Sequence, residues 1–323
     1  MSRYREQVAA ALGAVRILGP TQYAWLGPRS RRLPVALDGV LDAAERRRYL
    51  VSCLREELYC SFYCHGGPVV ARWGEPQPVS ADPWLLAAMS DANASEGGWE
   101  PGWTVDRVDG DTAVVTGSRL RVRVPVADCA GPMRSGGGIS VRLPEAMPAY
   151  SPGYWTVLGD TAVNGSGAGD VRVYWHVTAS GAPALVGAIT SHLNGAGVPF
   201  RLKVADHPFR LERCDAAVLY LDGDRFRALR PQLLATAESL AAHLHPRIPA
   251  FTLELAPGVG LAEHESGESF GVRRCELLAD GIVRAHEHRA ADPLATIAAR
   301  FAEDGVDIDA PYRDPALAGR HVL

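Results

Sequence analysis

The rhythm of apolar and polar residues changes twice along this chain. Through VLDAAERRRYLVSCLREELYCSFYC (40–64), apolar side chains recur at helical spacing with charges between them, and residues 1–72 as a whole read as mainly helical. GPRSRRLP at 27–34 reads as a loop, and Pro and Gly break the chain again through GEPQPVSADP at 74–83. SDANASEGGWEPGW (90–103) is loop-like, with aromatic residues that pack down or meet a ligand. The period then becomes two: TVDRVDGDTAVVTGSRLRVRVP (104–125) alternates about Asp-Gly-Asp as a β-hairpin does. Residues 135–155 read as strand and loop punctuated by Gly and Pro.

From about residue 165, strands and helices take turns. VRVYWHVTA (171–179) alternates as a strand, and APALVGAITSHLNGAG (182–197) fits a helix ending at Asn194-Gly195. PFRLKVA (199–205) and DAAVLYLD (215–222) read as two more strands, and residues 225–246 as a helix that tolerates Pro231 near its start. FTLELAPGVGLAEHESGESFGVRR (251–274) reads as a strand followed by a long loop, and 275–305 as two helices. This order predicts an α+β fold: a C-terminal mixed or antiparallel sheet with helices, preceded by a helical and β-hairpin N-terminal region. We divide the chain into an N-terminal recognition domain (1–160) and a C-terminal catalytic domain (161–323).

Composition narrows the function classes. The hydrophobic share of 47% and charged share of 22% are those of an ordinary globular protein, and no apolar run reaches the length of a membrane span. Arg5, Glu6 and Arg16 interrupt the N-terminus where a signal peptide needs an unbroken apolar stretch, so a cytoplasmic protein is expected. A net charge of −4 gives no bulk attraction to nucleic acid. Of the 33 Lys and Arg residues, Lys203 alone is lysine. Arginine serves wherever a generic positive charge is wanted, but it does not release its proton at useful pH, whereas a lysine pKa is lowered by burial or neighbouring cations. The lone lysine therefore marks a place where a releasable proton matters.

Alternation puts Arg172, Tyr174, His176 and Thr178 on one face of their strand, and Arg201 and Lys203 on one face of theirs. A strand–helix–strand unit with those strands side by side would make His176 and Lys203 neighbours. Arg210, Arg213, Tyr220, Arg273 and Arg274 follow in the same half. Arginine forks bind phosphate, a lysine among cations is prepared as a base, and a histidinium protonates a departing oxygen. The set suits β-elimination of phosphate, which needs neither cofactor nor metal. Plainer readings stand beside each residue: a strand histidine or Tyr220 in the core, and Arg213 and Arg274 paired with Glu212 or Glu276. Cys60, Cys64 and His65 read as a packed helical face before they read as a metal site, and His286 and His288, two apart on a helix, face different ways.

Three stretches, VRVYWHV, PFRLKVADHPFRLERCDAAVLYL and PAFTLELAPGVGLAEHESGESFGVRRC, resemble the HopA-type effector family over about residues 165–290. More distantly they resemble the phosphothreonine lyase effectors of enteric pathogens, and related domains of lanthipeptide and thioamide-peptide biosynthesis. The resemblance implies Lys203 as base, His176 as acid, Tyr220 as a further catalytic residue, and Arg201, Arg210, Arg213, Arg273 and Arg274 as phosphate ligands. One late effector arginine has no match; His264 and Glu265 stand in that region. The expected function is a phosphoserine/phosphothreonine lyase that turns a phosphorylated ribosomal precursor peptide into its dehydroalanine or dehydrobutyrine form, as in class V lanthipeptide or thioamitide maturation. No Gly-rich loop with a strand lysine and no HRD-like loop occurs, so a separate kinase is the expected partner, alone or in a heteromeric complex. The alternatives are a non-catalytic HopA-type peptide- or kinase-binding protein, and a cyclase adding Cys thiols to dehydro residues.

Overall fold

The computed structural model describes residues 1–28, 30–34, 39–70, 80–117, 121–162, 171–263 and 269–318. Helix α1 (Arg3–Ala14) runs into a three-stranded antiparallel sheet of β1 (Val15–Gly19), β2 (Gln22–Trp25) and β3 (Ser30–Arg32). This stretch of the N-terminal region, expected to be mainly helical, is therefore partly β. Gly19-Pro20 cannot continue a helix and turns the chain between the first two strands. Helix α2 (Ala43–Ser61) starts at a capping box, in which Asp42 accepts from the Glu45 amide and Glu45 accepts from that of Asp42.

After α3 (Pro83–Ala92), a five-stranded antiparallel sheet forms from β4 (Gly98–Asp109), β5 (Thr112–Thr116), β6 (Arg121–Pro125), β7 (Cys129–Ala130) and β8 (Gly138–Leu143). The expected hairpin about Asp109-Gly110-Asp111 is β4–β5; Gly110 takes the positive φ of 60° that the tight turn requires. Residues 98–103, expected to be loop, are already strand, because Trp103 is anchored in this sheet's small core with Val105, Val115, Ile139 and Val141.

The largest sheet has seven strands. It comprises β9 (Ala146–Ser151), β10 (Tyr154–Leu158), β11 (Val171–Trp175), β12 (Arg201–Ala205), β13 (Ala217–Leu221), β14 (Leu253–Ala256) and β15 (Val259–Glu263), in the spatial order β14-β15-β11-β13-β12-β10-β9. All its pairings are antiparallel, so the fold is α+β with an antiparallel C-terminal sheet. Residues 259–263, expected within a long loop, are strand β15, joined to β14 by a turn at Gly258 with φ of 77°.

Alternation along these strands builds two cores. Val171, Val173, Trp175, Leu202, Val204, Leu219 and Leu221 face α4 (Ala182–Gly195), α5 (Gly223–Ser239) and α3. On the opposite face, Tyr174, Val218 and Ala262 pack with α6 (Phe270–Glu287), α7 (Pro293–Glu303) and, from the N-terminal half, α1 and α2. The second face is only partly covered. Toward β12, β10 and β9 it carries charged and aromatic side chains.

Candidate functional site

Residues directly opposite in an antiparallel ladder point to the same side, so register alone locates the uncovered group. Arg172 pairs with Tyr220, and Tyr220 with Arg201, which sets Arg172, Tyr220 and Arg201 in one straight row across β11, β13 and β12. The two guanidiniums lie over the ring between them, Arg201 at 4.3 Å and Arg172 at 5.5 Å from its centroid. Arg201 also meets the exposed ring of Tyr150 at 5.7 Å. Lys203 stands two residues along β12, about 7 Å from Arg201 by strand rise. Its register partners are Val218 and Thr156, and its amine sits 4.4 Å from the ring of Tyr154 and 5.9 Å from that of Tyr220. Lys203, Arg201, Arg172 and Tyr220 are all half-buried. Three cations thus line one aromatic floor, an arrangement able to receive a multiply charged anion.

A carboxylate, Asp215, interacts with Lys203. It is buried and takes a two-pronged hydrogen bond from Arg213, Nε and one terminal nitrogen each donating at 2.8 Å. The Tyr59 hydroxyl lies 3.3 Å from Asp215 and 3.1 Å from Arg213. Burial works against ionisation of Asp215, but Arg213, with help from Lys203, holds its carboxyl below the usual range. Arg213, expected to bind phosphate, therefore has its fork on Asp215. Arg210, also expected there, is ion-paired with Asp206.

The late arginines lie elsewhere. Arg273 bridges Glu276 at 2.9 Å and Asp304, the residue that follows α7. Arg274 is buried beside Phe270 and donates to the carbonyls of Pro311 at 2.7 Å and Arg313 at 2.8 Å. Burial pulls its guanidinium down to about 10. It fastens the C-terminal segment onto α6. His264 and Glu265 lie outside the described residues.

His176 is not beside Lys203. Strand β13 lies between β11 and β12, and the register sets Tyr174 in line with Lys203 and His176 two residues beyond it, which separates the Cα atoms of His176 and Lys203 by about 12 Å at ordinary strand spacing and rise. The ring is 6% exposed. Its Nδ1 is 3.1 Å from the Arg247 carbonyl and its Nε2 3.2 Å from that of Glu212, with His245 at 4.6 Å. Burial pushes the imidazole down to about 4; His245 adds to that, and the two carbonyls oppose it. A neutral ring at neutral pH has one N–H, for one of those carbonyls. The geometry is that of a tie between two loops.

Sequence reasoning left Arg172 unassigned, although it had placed it on the right face. It missed Tyr154, Thr156 and Asp215 altogether. The signal available for Arg172 was its charge at an inward-reading strand position, two before Tyr174. Among the described residues no cluster of three or more His, Cys, Asp or Glu side chains is placed to hold a metal ion, and no helix is long and apolar enough to cross a membrane.

Residues 146–313 match the model of the HopA1 effector protein family. That span includes all seven strands of the large sheet and every residue of the arginine row. No curated protein matches the chain. Among solved structures, it is similar to the effector protein from Pseudomonas syringae pv. tomato strain DC3000, with 15% identity and a TM-score of 0.48 over 82% of this chain and 94% of that one. It is also similar to the effector protein from Pseudomonas syringae pv. syringae strain 61, with 15% identity and a TM-score of 0.40 over 73% and 84%.

Proposed function

From the premise that this chain belongs to the HopA1 effector protein family, we propose that it is a phosphoserine/phosphothreonine lyase acting on a phosphorylated peptide. The observation that carries the reading is the row Arg172–Tyr220–Arg201 with the chain's one lysine a single pleat away. The phosphate dianion is received by the two guanidiniums. Lys203, once its ammonium has released a proton to solvent, takes the Cα proton with the freed lone pair, and the C–H electron pair forms the Cα=Cβ bond. The Cβ–O bond breaks and phosphate leaves with its electron pair, the Tyr220 hydroxyl donating to the departing oxygen. Phosphoserine gives dehydroalanine, phosphothreonine gives dehydrobutyrine, and inorganic phosphate is released without water or redox change. Within this reading the substrate is a ribosomal precursor peptide of lanthipeptide or thioamitide type, phosphorylated by a separate kinase. His176 supports the fold and gives no proton.

The test is direct. Incubated with a phosphorylated precursor peptide, with and without its kinase, the wild-type chain forms the dehydro residue, read by mass spectrometry. Lys203→Ala and Lys203→Arg abolish it, the second because arginine stays protonated. No product from wild type, or a full rate from Lys203→Ala, refutes the mechanism. A second reading has one observation in its favour: the Lys203 amine rests on the Tyr154 ring, a contact that suits an ammonium. It is a protein that binds the phosphopeptide and leaves it unchanged, and retention of intact phosphopeptide by wild type selects it.

A further inference from the structure

Thr156 is the residue directly opposite Lys203 across the β10–β12 ladder, so the two side chains rise from the same face with Cβ atoms about 5 Å apart. Thr156 is 1% exposed, and its Oγ1 has no hydrogen-bond partner among the described residues. A buried hydroxyl without a partner is costly, and valine would fill the same space without that cost. A hydroxyl kept there calls for a partner that arrives during function.

The surroundings name that partner. Lys203 is flanked on one diagonal by Tyr154 and on the other by Tyr220, and its amine leans toward Tyr154, at 4.4 Å against 5.9 Å. The arginine row lies on the Tyr220 side. An amine resting on the Tyr154 ring is turned away from an anion held in that row, so it must leave the ring to act there. The Thr156 hydroxyl stands beside that path, within the sweep of the lysine side chain.

We infer that Thr156 is a positioning residue for Lys203: when the amine leaves the Tyr154 ring, it donates one N–H to Thr156 Oγ1, which holds its lone pair toward the Cα–H of the substrate. A neutral amine has two N–H groups and one lone pair, so one donation orients the third direction. After proton uptake the ammonium still donates to the same oxygen. The inference rests on the lyase reading above and adds to it a second resting place for the base.

The experiment compares wild type, Thr156→Val, Thr156→Ser and Thr156→Ala in the full chain, with kcat and KM on a phosphorylated peptide and the thermal midpoint of each. Thr156→Val lowers kcat about tenfold to a hundredfold with KM nearly unchanged, the scale of a misaligned reacting group. Its thermal midpoint is equal to or above that of wild type, because the unpartnered hydroxyl is gone. Thr156→Ser restores kcat to within about twofold, and Thr156→Ala does not. A wild-type kcat in Thr156→Val, whatever happens to KM, overturns the inference, as does a Thr156→Ser variant as slow as Thr156→Val. If Thr156→Val folds poorly, Ser against Ala decides alone. A wild type that eliminates nothing overturns the lyase reading, and this inference with it. An active wild type with an equally active Thr156→Val overturns this inference only.

Discussion

Replacing Arg213 tests whether it is a phosphate ligand or a clamp. Its side chain is 30% exposed and that of Asp215 is 6% exposed, with two N–H donors at 2.8 Å from the carboxylate oxygens. Removing the arginine leaves a buried carboxylate that still takes a hydrogen bond from the Tyr59 hydroxyl but loses both donors of the fork. Breaking a fully buried pair this way costs about 3–5 kcal/mol. Water reaches Arg213 from one side, so the loss is smaller, about 2–3 kcal/mol, or roughly 5 °C in thermal midpoint for a chain of this size. The assay is urea unfolding at pH 7 of Arg213→Ala, Asp215→Ala and the double variant. Each single variant falls by that amount, and the pair shows a coupling of about 1.5 kcal/mol, since neither partner does its work without the other. The sign with pH follows from the lowered carboxyl: the contribution is complete above the ordinary Asp value of 3.8 and fades as pH falls through the folded value. Stability within about 0.5 kcal/mol of wild type, together with a raised KM for phosphopeptide, refutes the clamp and returns Arg213 to the phosphate site.

Three further outcomes are expected. His176, moved from 6.5 to about 4, stays neutral where the unfolded chain takes up a proton; wild-type stability therefore falls by roughly 3 kcal/mol as pH drops from 6.5 to 4, and His176→Asn flattens that slope in urea midpoints taken across the window. Gly271→Ala puts a methyl 2.3 Å from the Tyr63 ring and costs about 2–3 kcal/mol by thermal unfolding, a loss that disappears if α6 shifts freely. Arg274→Ala strands the carbonyls of Pro311 and Arg313, and limited proteolysis of the C-terminal segment speeds up at once; an unchanged digestion pattern refutes the fastening role.

What could be read before the structure was the side of each strand, and what could not was the strand's neighbour. Alternation in VRVYW and RLKVA assigns Arg172, Arg201 and Lys203 to one face, because the side-chain period is two in any strand. It says nothing about order, and β13 lies between β11 and β12, paired antiparallel with both. His176 and Lys203 were drawn together for want of that fact. Pro257, Gly258 and Gly260 give the surroundings of β15 the look of a loop, while its five residues pair with β11 and three of them, Val259, Gly260 and Leu261, also pair with β14. The acids offered for Arg213 and Arg274 were Glu212 and Glu276; Arg213 instead takes Asp215, two residues on, and Glu276 pairs with Arg273, while Asp304 reaches Arg273 through tertiary contact.

The way each arginine is held separates scaffold from site. Arg210, Arg213 and Arg273 have carboxylates, and Arg274 has two backbone carbonyls, so their donors along the guanidinium edge are already in use. Arg201 is held differently, by the faces of the Tyr220 and Tyr150 rings. A stacked guanidinium gives its flat face to the ring and keeps its edge N–H groups for an oxyanion. Arg213 and Arg274 also lie over rings, those of Tyr59 at 5.4 Å and Phe270 at 4.8 Å, but both have oxygen acceptors as well, whereas the described contacts of Arg201 are its two rings, as the proposed phosphate role asks. Arg201 lies on the same strand and the same face as Lys203, which is the juxtaposition that the proposed elimination requires.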